Sequence, residues 1–135
     1  EENLQLTGAY KDRMKFRLAE TYLLLAEAYL RQDMPDKAAD AVNEVRRRAK
    51  VSDVSDEEMT MDFLLDERIR ELYGEESRRF TLIRTGKLLE RVRKYNPEAR
   101  DLIQDFHVLW PIPQAIRDAN VGNFPQNPGY EGYEG

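Results

Sequence analysis

Glu67, Glu71, Glu75 and Arg78 recur at steps of four, four and three residues, which on one continuous helix would place three carboxylates and a guanidinium in a single row, with Leu82 extending it. Such a row could serve two chemistries. Acid–base glycoside hydrolysis uses a pair of carboxyl groups roughly 5–10 Å apart, and clustered carboxylates can ligate a metal. The structural alternative is an ion-pair ladder in which arginines one turn away, or on neighbouring helices, neutralise the acids. The ladder, made of Glu67, Arg68, Glu71, Glu75 and Arg78, is the stronger reading. Each acid has an arginine within one turn, and no ligand of another type lies nearby. Neither a catalytic residue nor a metal ligand is therefore assigned. A partly buried ladder would specify how the helices pack more than it adds net stability.

Glu20 and Glu27, beside Arg17, raise the same question and are expected to pair with Arg46, Arg47 or Arg48 of the following helix. That basic triplet is the only patch suited to phosphate, and it stands near a helix C-terminus, where positive charge is favoured anyway. With a net charge of −5, the overall field repels nucleic acid. His107 is the only histidine and there is no cysteine, so the usual zinc sites and nucleophilic triads cannot be built. No cofactor is expected. Trp110, Phe124, Tyr130 and Tyr133 form the remaining set, since aromatic faces stack on the C–H surface of sugars. Trp110, Tyr130 and Tyr133 are the ligand-contact candidates. The competing role is cover: Trp110 lies between apolar residues and prolines, and burying such a ring contributes about 2–3 kcal/mol without any ligand.

The elements that would position these residues read as helices. Leu18, Ala19, Tyr22, Leu25, Ala26 and Tyr29 recur at three- and four-residue steps. Gln32-Asp33-Met34-Pro35 breaks the pattern, with Pro35 suited to the first turn of a second helix carrying Ala38, Ala41, Val42, Val45 and Ala49. The alanine-rich stripe lets the two approach closely as an antiparallel hairpin with tetratricopeptide-like spacing. One such hairpin leaves a face open, so something must stack on it. The expected partner is a third helix, started by a Ser55–Glu58 capping box or by Thr60 and running to about Ser77. Its stripe is Met61, Leu64, Leu65, Ile69, Leu72 and Tyr73. Phe80, Leu82 and Ile83 continue in a turn or short helix, Thr85-Gly86 interrupts, and Lys87 to Tyr95 forms another short helix before Asn96-Pro97. Phe106 to Pro113 reads as extended and Gln114 to Ala119 as one helical turn. Asn127-Pro128-Gly129-Tyr130 has type II turn chemistry, with glycine where φ is positive. This turn is expected to close the domain by bringing an aromatic back onto the helices.

A chain of 135 residues, 41% hydrophobic and 35% charged, is long enough for one ordinary core and too short of apolar runs for a membrane-spanning helix. It reads as a soluble all-α fold: a tetratricopeptide-like hairpin with further packed helices in an α–α superhelix and an extended proline-rich C-terminal segment. Residues 1–15 form an approach segment and 16–135 a single helical domain. The start at Glu1-Glu2, without methionine, reads as a processed or excised piece.

Six stretches, in order, resemble the C-terminal part of SusD/RagB proteins: LAETYLLLAEAY from Leu18, NEVRRRA from Asn43, ERIRELYGE from Glu67, RRFTLIR from Arg78, WPIP from Trp110 and QNPGY from Gln126. Where that family commonly has Glu-Gly, then Arg, an aromatic pair and Asp-Leu, this chain has Glu75-Glu76, Arg78-Arg79-Phe80 and Thr81-Leu82. The resemblance implies a non-enzymatic nutrient-binding accessory protein that binds oligosaccharide outside the cell. It implies a surface lipoprotein of the bacterial outer membrane, held by a lipid anchor that this chain lacks, with a SusC-like TonB-dependent transporter as partner. The chain would be the helical scaffold portion. None of the motif residues carries over as a ligand contact. Hairpin spacing alone would instead allow a tetratricopeptide-type protein–protein adaptor, which leaves WPIP and QNPGY without a role. A small acid–base glycosidase would rest on the carboxylates alone.

Overall fold

The computed structural model describes residues 16–133; the approach segment expected over 1–15 lies outside them. All regular structure in the described residues is helical. The chain divides between Glu76 and Ser77 into two compact units.

In the first unit, α1 (Leu18–Leu30) and α2 (Pro35–Arg48) form the antiparallel hairpin and α3 (Met61–Glu71) packs against it. Pro35 opens α2 with its φ already helical and no N–H to waste. Ala19, Leu23 and Ala26 of α1 meet Ala38, Ala41, Val42 and Val45 of α2, and Leu64 and Leu72 close the cluster. The buried stripe of α1 is displaced from the expected one. Leu23 is fully buried, whereas Leu18 and Leu25 are 69% and 41% exposed. On α3, Leu64, Leu65 and Leu72 are buried, but Ile69 is 43% and Tyr73 84% exposed. Ala49 is the C-cap of α2 and lies at the surface.

The start of α3 is Thr60, whose hydroxyl accepts from the Phe63 N–H. Ser55 and Glu58 do bond reciprocally, but around a turn ahead of the helix. The helix stops at Glu71, earlier than the apolar period indicates, because Gly74 takes φ +76° two residues past the C-cap Leu72. Asn43 makes a connection that periodicity does not reveal. It is buried within the α2 stripe, and its amide accepts from the Val54 N–H at 2.8 Å and donates to the Val54 carbonyl at 3.0 Å, fastening the loop before α3.

In the second unit, α4 (Arg78–Arg84) and α5 (Leu88–Tyr95) pack against each other, with Leu82 and Leu88 buried. Asn96 ends α5, its side-chain oxygen accepting from the N–H groups of Glu98 and Ala99. The stretch expected to be extended from Phe106 instead begins as a 3-10 turn, Asp105–Val108, and extends only from Leu109. Its local cause is the Gln104 N–H, which donates to Nδ1 of His107 three residues on and tightens the chain into a turn. A one-turn helix, α6 (Gln114–Asp118), follows, and the tail then folds back.

Candidate functional site

The carboxylate row is spent on arginines. Glu67 accepts from Arg46 and from Arg70, both at 2.8 Å. Glu71, whose side chain is 9% exposed, accepts from Arg17 at 2.9 Å and from Arg48 at 2.7 Å. Arg17 also reaches Glu75 and the Glu71 backbone carbonyl, so one guanidinium ties the start of α1 to the end of α3. First Glu75, then Glu71, hold the Arg17 guanidinium above its ordinary value. Arg68 is almost wholly buried and pairs with Glu76 at 2.6 Å and with Glu20 at 3.7 Å. Because α3 stops at Glu71, Glu75 stands in the following turn and Arg78 is the first residue of α4, in the second unit. The unbroken helical row does not form.

The pairing expected between Glu20 or Glu27 and the Arg46–Arg48 triplet does not form either. Glu27 is buried and pairs with Arg31 one turn along α1. Arg46 and Arg48 reach α3, and Arg47 takes Asp53 and Glu44. Arg46 and Arg48, at the end of α2, thus meet acids of α3 and not those of α1, while Arg47 stays with its own helix and the following loop. Among the described residues no group of three or more His, Asp or Glu side chains is placed to hold a metal ion.

The aromatic candidates lie in the second unit. Trp110 and Tyr130 border one cavity of about 460 Å³, along with Arg79, His107, Leu102 and Pro111. Tyr133 is not part of its wall. Trp110 is 58% exposed, and the Arg79 guanidinium lies over its ring at 4.2 Å from the centroid. Arg79 also donates to the His107 carbonyl. Tyr130 stands edge-on to Phe106, centroids 4.9 Å apart, and its hydroxyl donates to the Leu109 carbonyl at 2.9 Å.

The wall is held by side chains that imitate backbone. Gln126, buried, accepts from the Ile112 N–H at 2.7 Å and donates to the Ile112 carbonyl at 2.9 Å. Asn127 donates to the Trp110 carbonyl at 2.8 Å. The turn closes with the Tyr130 N–H on the Asn127 carbonyl and Gly129 at φ +86°. The aromatic it returns is Tyr130, laid on the 3-10 turn. Sequence reasoning missed Arg79 and Gln126. The signal for Arg79 was the charge standing in the Arg78-Arg79-Phe80 departure. Gln126 gave none, because its partner Ile112 is remote in the chain.

The chain matches the SusD family model over residues 2–130. It is 35% identical over 125 residues to the starch-binding protein SusD of Bacteroides thetaiotaomicron, covering 86% of this chain and 21% of that protein. A SusD-like protein of Formosa agariphila is 36% identical over 113 residues, 76% of this chain and 21% of its own length. Another from the same organism is 32% identical over 108 residues, 72% of this chain and 20% of its own. The chain thus spans about a fifth of the length of the curated relatives it matches. No solved structure matches it.

Proposed function

The chain belongs to the SusD family, and from that premise we propose that it is the helical scaffold portion of a non-enzymatic protein that binds a glycan or similar nutrient for uptake. The full-length parent would be a surface lipoprotein of the bacterial outer membrane, delivering its ligand to a SusC-like TonB-dependent transporter. The observation that carries this reading is the family match over residues 2–130. The ion pairs fit the non-enzymatic part: Glu67, Glu71 and Glu75 all hold arginines, so none of the three stands free as one of a catalytic carboxyl pair. On this reading Glu67, Arg68, Glu71 and Glu75 serve the packing of the first unit, and Arg78 begins the second. Trp110 and Tyr130 are the residues of this chain best placed to meet a sugar; Tyr133 is a surface aromatic.

No described helix is long and apolar enough to cross a membrane. Fractionating cells that make the full-length parent tests the reading. The parent should be recovered with outer membranes and should co-purify with a TonB-dependent transporter. Recovery in the cytosol without one would favour the tetratricopeptide-type adaptor instead.

A further inference from the structure

The cavity of the second unit carries a charge that nothing described neutralises. Arg17, Arg46, Arg48 and Arg68 each rest on glutamates. Arg79 has no carboxylate partner among the described residues; its contacts are the His107 carbonyl and the Trp110 ring. One of its guanidinium nitrogens, Nε, is buried without a hydrogen-bond partner. The neighbouring polar groups have donors to spare as well. With Nδ1 of His107 accepting from the Gln104 N–H, the neutral ring carries its proton on Nε2. Asn96 has its oxygen occupied by two backbone N–H groups, which leaves its amide N–H groups open. A neutral sugar presents donors and acceptors together. A cation and spare donors around an exposed indole, in about 460 Å³, fit a ring that brings its own negative charge.

We propose that this cavity is a subsite for an acidic sugar, a hexuronate residue whose carboxylate is taken by Arg79 beside the edge of Trp110. The inference rests on the glycan-binding reading and adds the ligand's charge to it. Because the chain as a whole carries −5, attraction must come from this local guanidinium and not from the overall field.

Trp110 is the only tryptophan, so its fluorescence reports the site directly. The 135-residue chain is titrated with an α-1,4-galacturonate tetramer and with the neutral galactose tetramer of the same linkage. The acidic tetramer should shift the emission saturably and bind at least about tenfold more tightly, the effect of one charge-assisted contact. Arg79→Gln should remove that preference, with circular dichroism checking that the variant folds. Should it not fold, salt supplies the second measurement: affinity of the unmodified chain for the acidic tetramer should fall between about 50 and 500 mM salt. The proposal is overturned by no saturable response to galacturonate, by equal binding of the neutral tetramer, by an unchanged preference in Arg79→Gln, or by affinity indifferent to salt. Those results would leave glycan binding by the parent standing. Failure of the full-length parent to bind any glycan would overturn both.

Discussion

Gly129 carries two demands at one position. Its φ of +86° belongs to the left-handed region, and a Cβ built there would lie 2.3 Å from Cγ of Phe106. A side chain therefore meets backbone strain of about 1–2 kcal/mol and also displaces the ring on which Tyr130 rests. Gly74 has a comparable φ of +76° but open space around it. In chemical denaturation, Gly129→Ala should destabilise the second unit by about 2 kcal/mol or more, and Gly74→Ala should cost about 1 kcal/mol. Equal effects would mean that the close approach to Phe106 is not held in solution. The turn itself was legible, since Asn-Pro-Gly fixes both φ values locally. The partners that make it matter, Phe106, Leu109 and Ile112, were not, because nothing local says which carbonyl a distant tyrosine or glutamine will find. For the same reason Trp110 and Tyr130 could be named from the sequence while the guanidinium stacked on one of them could not.

Helices were legible as elements and less so as faces and ends. In α1, leucines at 18, 23, 24 and 25 satisfy several overlapping helical stripes, and only packing selects among them. The small Ala38 and Ala41 let α2 approach closely, and what fits against them is the Ala19–Leu23–Ala26 ridge. Leu18 and Leu25 turn instead toward open cavities beside the hairpin. Leu23→Ala should accordingly cost about 2–5 kcal/mol, and Leu25→Ala less than about 1 kcal/mol, in the denaturant midpoint of the first unit. The reverse order would restore the stripe that the sequence favours. At the end of α3, the apolar period runs on through Leu72 and Tyr73, but glycine at 74 and the Arg17 guanidinium on the Glu71 carbonyl stop the helix there. Polar residues within the stripes were the other blind spot. Asn43, Glu27, Glu67 and Arg68 are all buried, each held by a specific partner that a hydrophobic period does not register.

At the scale of the whole molecule, six motifs in family order carried more than any period could. They implied both the all-α fold and a binding role, although the chain spans about a fifth of its relatives. The acids of the carboxylate row in the first unit are held in ion pairs. Glycoside hydrolysis needs one carboxyl that holds a proton near neutrality and a second free to attack or activate water. Glu67, Glu71 and Glu75 each sit against one or two guanidinium groups, so none of the three stands free for either role. The most direct test is calorimetric titration of the full-length parent with a panel of neutral and acidic oligosaccharides, with each ligand recovered afterwards. Saturable binding of at least one member, returned at its original length, is the predicted result; shortened ligand, or no heat from any member, would contradict it.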